Sequence, residues 1–142
     1  MDAIKDMAWN AKQINAQVMQ GIQNGESVPE IAKRLRNVTD MSKVASLRNA
    51  RTMVNAAENM GRLDSYKKAE KDGVILKKVW YCIHDSRTRN WHLELDGVEK
   101  PVDEPWENEY GELMYPSDPM GHPANVYNCR CTMKGDVEGF KW

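Results

Sequence analysis

The sequence has no apolar run approaching the roughly 20 residues that a membrane span requires. Its first residues also lack the uninterrupted apolar core of a secretory signal. The expectation is a soluble chain that does not enter the general export pathway and meets no membrane. Internal repeats and low-complexity segments are absent. Cysteine is scarce and odd in number, with three residues. An odd count without a secretory signal argues against a disulfide framework and for reduced thiols or metal ligands. A net charge of -1 gives no electrostatic reason for the chain as a whole to bind nucleic acid. Phenylalanine occurs once, against nine Met and five Trp. Methionine fills irregular gaps and suits adaptable contact surfaces as well as cores.

The 142 residues suffice for about one domain. Charge divides them unevenly. Residues 1–73 carry 12 Lys/Arg and 9 Asp/Glu, net +3, while residues 74–142 carry 8 and 12, net -4. This predicts a mildly basic helical arm over 1–73 and an acidic α+β module over 74–142.

In the arm, Ile4, Met7, Ala8, Ala11, Ile14, Val18 and Ile22 recur at steps of three and four, the period of an amphipathic helix. Asn24-Gly25 stops it. Ser27-Val28-Pro29-Glu30 is a capping-box pattern, opening a short helix that turns Ile31, Leu35 and Val38 inward and Lys33, Arg34 and Arg36 outward. Those three bases fit either a DNA-recognition helix or a solvated face. Ser42 caps a third helix to about Lys71, with a stripe of Val44, Leu47, Ala50, Val54, Ala57, Gly61 and Leu63, and Gly73 closes it. Arg51, beside that stripe, is expected to be partly buried against a carboxylate or carbonyl, unless its stem simply snorkels.

At Val74 the period changes to two. Ile75, Lys77, Val79, Tyr81 and Ile83 alternate with Leu76, Lys78, Trp80 and Cys82, as in a half-buried strand. Asp85-Ser86 begins a helical turn, and residues 93–98 read as a hairpin around Asp96-Gly97. Residues 94–112 hold eight acids against Lys100 alone, a soluble edge or a complement to a basic partner. Glu112–Tyr115 is a short strand, and the prolines at 116, 119 and 123 enforce an ordered loop. Residues 128–133 read as a final strand that pairs with the first. The fold class is α+β: about three helices, then a small, mainly antiparallel sheet with a hairpin and long ordered loops.

The chemistry is concentrated in residues 80–131, which hold every histidine and cysteine. In an extended segment Cys129 and Cys131 face one side together and Arg130 the other. A disulfide between them would be strained, leaving two packed thiols or two ligands. His92 is the natural third ligand, with His84, Asp85 or His122 as a fourth, in a set that suits zinc. A second constellation joins Asp85, Arg87, Arg89 and His92: a carboxylate, two guanidinium groups and an imidazole, the parts that phosphodiester cleavage requires. A Cys-His nucleophile pair is a third possibility. Against these stand plain packing of the thiols, an ion pair pinning the loop, and a histidine bracing the hairpin.

The series W-Y-C-I-H-D-S-R-T-R-N-W-H, L-D-G, P-V-D-E-P-W, Y-P-S-D-P and N-C-R-C-T, preceded by R-N-A-R-T-M-V-N-A-A-E-N from Arg48 to Asn59, resembles the Mu F-like phage head morphogenesis family over residues 44–133. That resemblance implies a minor head (capsid) protein of tailed double-stranded DNA phages or prophages, present in a few copies near the portal, with a role in DNA packaging or delivery. It implies portal or other head proteins and double-stranded DNA as partners, and a place in the capsid interior of the virion, reached from the host cytoplasm during assembly. Its characteristic positions fall on Trp80, Asp85, Arg87, Arg89, His92, Asp96, Gly97, Pro116, Asp118, Asn128, Cys129, Arg130 and Cys131. Some members are coupled to toxin or nuclease modules, which keeps a metal-dependent or nuclease-like enzyme as the alternative. Family members are typically longer at the N-terminus, so a fragment, a prophage remnant or a shortened member is expected here.

Overall fold

A computed structural model describes the backbone of residues 3–141 and the side chains of residues 12–141. The expected inward positions Ile4, Met7, Ala8 and Ala11, and Trp142, fall outside the described side chains. The protein is α+β, as expected. Helices α1 (Ala3–Gln23), α2 (Val28–Val38) and α3 (Lys43–Lys71) lead into β1 (Val74–Tyr81). There follow α4 (Asn90–Leu93), β2 (Glu99–Pro101), β3 (Trp106–Asn108), β4 (Gly111–Leu113), α5 (Pro123–Val126) and β5 (Thr132–Phe140). The change from helix to strand falls at 73/74, while the chain divides into two compact units within α3, at 54/55. Among the described residues no helix is long and apolar enough to cross a membrane.

In the first unit Val18, Ile31, Ala32, Leu35 and Ala50 form the core, flanked by Ile14, Ile22 and Leu47. The start of α2 is set locally. Ser27 Oγ accepts from the Glu30 amide at 3.4 Å and the Glu30 carboxylate accepts from the Ser27 amide at 3.1 Å, the reciprocal box read from the sequence. Two of the three bases on α2 are engaged within the unit. Arg34 donates to both carboxylate oxygens of Glu26, at 2.6 and 2.5 Å, and to Gln17 and Gln20. Arg36 donates to Ser46 Oγ at 2.8 Å. A fork that grips a carboxylate bidentately is committed to that geometry.

Helix α3 departs from the single stripe expected of it. Val44 and Gly61 are exposed and Ala57 is only partly covered, whereas Ser46, Thr52, Ala56 and Asn59 are buried with Ala50 and Leu63. A 29-residue helix whose two halves belong to different units buries a different arc in each. Arg51 is exposed, which corrects its expected burial; Thr52 takes the inward position instead.

In the second unit the sheet runs β2-β1-β5 and is antiparallel throughout. The β1–β5 register places Trp80 opposite Met133 and Tyr81 opposite Thr132, with one irregularity at Ile75/Leu76. Leu76, Lys78 and Trp80 point into the core, so the expected alternation holds and places a lysine inside. Trp80 and Trp106 are fully buried and meet edge to face at 5.1 Å. Leu63 of α3 joins that core, and Tyr66 and Ala69 pack against it. Gly135 permits this approach, since a Cβ there would sit 3.2 Å from both Leu76 and Tyr66. The expected final strand starts later than predicted. Residues 129–131 belong to no strand, and β5 begins at Thr132, after Asn128 adopts a positive φ of 57°. Residues 93–98 are not a strand hairpin either. The short helix α4 runs into a turn, and Gly97 at φ 79° returns the chain beside β1, donating to the Trp80 carbonyl at 2.8 Å.

Lys78 is the unusual core residue. Its Nζ donates to the Met114 carbonyl at 2.8 Å and lies 4.6 Å from the centre of the Trp106 ring. Burial, with repulsion from Lys67, pushes its ammonium down to about 8, against the attraction of Asp103, Asp118 and Glu104. Below that value both folded and unfolded chains carry the proton and the folded state bears the desolvation. Between about pH 8 and 10.5 the unfolded chain holds a proton that the folded one has lost, so stability contributed by this group rises with pH, by at most roughly 1.4 kcal/mol per unit. Urea titrations at pH 7.5 and 9.5 are expected to show that gain in the wild type and not in Lys78→Met.

Candidate functional site

The site lies where three segments converge: the end of β1, the helix α4, and the stretch before β5. Each arrives for a local reason. The chain leaving β1 is held by Asp96, whose Oδ1 accepts from the Cys82 amide at 2.9 Å while its Oδ2 pairs with His84 Nε2 at 2.5 Å. The 85–89 turn closes through Asp85, which accepts from the Arg87 amide at 2.9 Å, and delivers α4 with His92 facing inward. Residues 128–131 follow α5, whose His122 caps its first turn through Nδ1 at 3.0 Å from the Ala124 amide.

The expected convergence of the thiol pair on the imidazole is present. His92 is 1% exposed, and its Nδ1 lies 3.8 Å from Cys129 Sγ and 3.9 Å from Cys131 Sγ. The ligand atoms of these three residues all lie within 4.8 Å of one another. The third cysteine, which the sequence reading placed only on the strand, belongs here too. Cys82 Sγ is 3.1 Å from Cys131 Sγ, approaches the His92 carbonyl at 3.0 Å and accepts from Trp80 Nε1 at 3.2 Å. His92 Nε2 is buried with no hydrogen-bond partner among the described residues, in the neighbourhood of the Trp80 and Trp91 rings.

The thiols are unequal. A hydrogen bond from Cys131 pushes the Cys129 thiol down to about 4 against the cost of burial, with the facing His92 adding to the effect. The same contact, together with that from Cys82 and burial, pushes Cys131 up. Cys82 is lowered, chiefly by its hydrogen bond with Cys131.

Opposite faces of the 129–131 segment do different work, as its alternation predicted. Arg130 turns outward and clasps Asp85 with two bonds of 2.5 and 2.8 Å, which hold the Asp85 carboxyl well below the usual carboxylate range. Arg89 donates to the Tyr127 carbonyl, and Arg87 is exposed. Asp85, Arg87, Arg89 and His92 therefore do not face one space. The carboxylate is held by Arg130, one guanidinium holds a backbone carbonyl, and the imidazole is inside among sulfurs and indoles. His84 is exposed on Asp96, and His122 sits on α5 against Tyr110, 5.3 Å between rings; neither joins the Cys/His group.

Two residues that sequence reasoning missed hold the segment in place. Asn55 and Asn59, one turn apart on α3, aim their amides at loop carbonyls. Asn55 Nδ2 donates to Cys129 O at 2.9 Å, Cys131 O at 3.1 Å and Ser117 Oγ at 2.9 Å. Asn59, fully buried, donates to Pro116 O at 3.1 Å and Cys131 O at 3.2 Å, and accepts from Arg62 at 3.1 Å and the Thr132 hydroxyl at 3.3 Å. The available signal was the N-x-x-x-N spacing, which puts two weak helix formers on one face. The Pro-rich loop is ordered as expected: Asp118 accepts from the Met114 and Met120 amides, both at 3.0 Å. Asn108 and Asn125 pair reciprocally across it, at 2.8 and 3.1 Å.

Helix, sheet and loops thus form a small α+β module whose most reactive side chains face inward and whose loops are tied to a helix by amide groups. A sequence profile of the family described as Phage Mu protein F like protein matches residues 12–134, and the chain belongs to that family. It is 32% identical over 133 residues to a protein named NAD(+)–arginine ADP-ribosyltransferase EFV of Enterococcus faecalis, covering 91% of this chain and 26% of that one. It is 30% identical to the minor head protein GP7 of Bacillus phage SPP1, over 86% of this chain and 39% of the relative. YqbB of Bacillus subtilis, an uncharacterized protein, is 26% identical over 82% of this chain and 39% of its own. The chain therefore spans between a quarter and two fifths of these relatives. No solved structure matches it.

The amide latch gives a direct prediction. Asn59→Ala removes the amide partner of the Pro116 carbonyl, the Arg62 guanidinium and the Thr132 hydroxyl, while the Cys131 carbonyl keeps Asn55, and is expected to cost roughly 2–4 kcal/mol. Asn59→Asp, which turns donors into acceptors facing carbonyls, costs at least as much. Urea denaturation followed by tryptophan fluorescence checks both, and a midpoint within error of the wild type would refute the latch.

Proposed function

We propose that this chain is the structural module of a phage or prophage minor head protein. It works as a rigid unit that contacts other head proteins, the portal among them, within the capsid, and it reaches that place from the host cytoplasm during assembly. The single observation that carries the reading is the family match over residues 12–134, joined by likeness to a minor head protein of a Bacillus phage. The direction of the side chains supports it. Asp85 is held by Arg130, Arg89 by the Tyr127 carbonyl, and His92 is buried, as expected of a module that has to hold its shape. A role in packaging or delivering DNA belongs to the same proposal. It rests on the family and not on α2, where Arg34 and Arg36 are already engaged.

A second reading has a specific observation in its favour. The likeness to a protein named for an ADP-ribosyltransferase covers nearly all of this chain but about a quarter of that relative. A minor head protein and a transferase can share this segment if it serves as the common head-docking part. We therefore assign docking, and not transfer, to the module. The nuclease-like alternative through His92, Arg87, Arg89 and Asp85 is disfavoured by the burial of His92.

Two measurements test these assignments. DNase-treated heads from an induced lysogen are expected to retain the chain, or the longer protein that carries it, in a few copies per particle. Its deletion should lower infectious yield, and heads free of it would overturn the structural reading. Purified protein incubated with DNA or RNA, with zinc or magnesium, is expected to leave both intact. Cleavage that disappears in His92→Ala would establish the enzyme instead.

A further inference from the structure

We propose that His92 Nδ1 and the thiolates of Cys129, Cys131 and Cys82 hold one zinc ion in a closed structural site. Distances come first. Two ligands on one tetrahedral zinc, bound at about 2.0–2.3 Å, sit roughly 3.6–3.8 Å apart. His92 Nδ1 lies 3.8 and 3.9 Å from the two sulfurs, long for hydrogen bonds and close to the spacing of co-ligands.

The second observation is the state of the imidazole. It is 1% exposed, its Nε2 has no partner among the described residues, and its Nδ1 has only thiols before it. Burying a polar ring so thinly partnered is costly. An ion at Nδ1 gives that nitrogen a partner, since histidine ligates metals as the neutral imidazole.

Cys82 completes the set. Continuing the register from Trp80 opposite Met133 and Tyr81 opposite Thr132 puts it opposite Cys131, and their sulfurs are 3.1 Å apart. The ligand atoms already within 4.8 Å of one another are those of His92, Cys129 and Cys131; Cys82, whose sulfur touches that of Cys131, is the fourth ligand assigned. All three cysteines are free and lie on two different segments, with the imidazole on a third. The backbone around the ligands is already fixed by other groups. Asn55 and Asn59 hold the carbonyls of Cys129 and Cys131, and Asp96 holds the amide of Cys82. Such support is what orients ligands for a metal. The need is also visible, because β2, β3 and β4 have three residues each and α4 and α5 four, too short to cohere by ladders alone. Binding exchanges the thiol protons for the ion, with no change in oxidation state.

The test uses the full chain, expressed with added zinc and purified under reducing conditions without chelator. About one zinc per chain is expected, with cobalt(II) giving tetrahedral d–d and thiolate charge-transfer bands, and chelation lowering the thermal midpoint. Cys129→Ser and His92→Ala should lose the metal, and Cys82→Ser should bind it at least about tenfold more weakly. Wild-type protein with less than ~0.2 equivalent of zinc and no cobalt bands on titration overturns the site, whether or not the variants fold. A Cys82–Cys131 disulfide in place of metal in freshly purified protein overturns it as well. Unchanged affinity in Cys82→Ser removes Cys82 from the ligand set.

Discussion

The amide groups of Asn55 and Asn59 are the constraint on which the second unit depends. Residues 129–131 enter the core before β5 has begun, so their carbonyls lie outside the sheet ladder. Two side chains on one face of α3 take up those carbonyls together with the Pro116 carbonyl and the Ser117 hydroxyl. A buried peptide group without a partner costs as much as a lost hydrogen bond, so the helix is tied to the loops by more than apolar contact. With the backbone fixed there, Cys129 and Cys131 are committed inward and Arg130 outward to Asp85. One short segment thereby links the helix, the interior cluster and the outer loop.

Lys78 belongs to the same economy of irregular backbone. The 114–118 loop is held on one side by Asp118, which takes up the Met114 amide, and on the other by Lys78, which supplies a donor to the Met114 carbonyl. An ammonium inside a core is tolerable where it satisfies a carbonyl and lies over an indole face. Loops that would otherwise be pliable are fixed by a few buried polar groups, each with a defined partner. That is consistent with a part whose value lies in keeping its outline.

Much of this was legible in the sequence, and the remainder failed for identifiable reasons. The first three helices were readable because periodic apolar residues and the Ser27–Glu30 cap agree. The β1–β5 pairing followed from the change of period at Val74, and the meeting of His92 with Cys129 and Cys131 from the alternation of a C-x-C segment. Cys82 was missed because a lone cysteine in an alternating strand resembles any small apolar residue; only the register puts it opposite Cys131. The asparagines were missed because amides on a helix are ordinarily solvent-facing, and their targets lie more than fifty residues away. Arg51 was misassigned because one stripe was drawn through a helix that serves two units.

The reach of the Asn55 latch bears on how the protein acquires its shape. Its bond to the Cys131 carbonyl spans 76 residues, so almost the whole second unit has to be synthesised before the helix finds its counterpart. Closing so long a loop loses chain entropy that only the completed contact returns, and folds governed by distant contacts form slowly. Until then the nascent chain carries two uncovered thiols, Cys129 and Cys131, and two indoles, Trp80 and Trp106, that the finished unit buries. Maturation of this module is therefore a late, all-at-once event, completed only once its final strand is free to move.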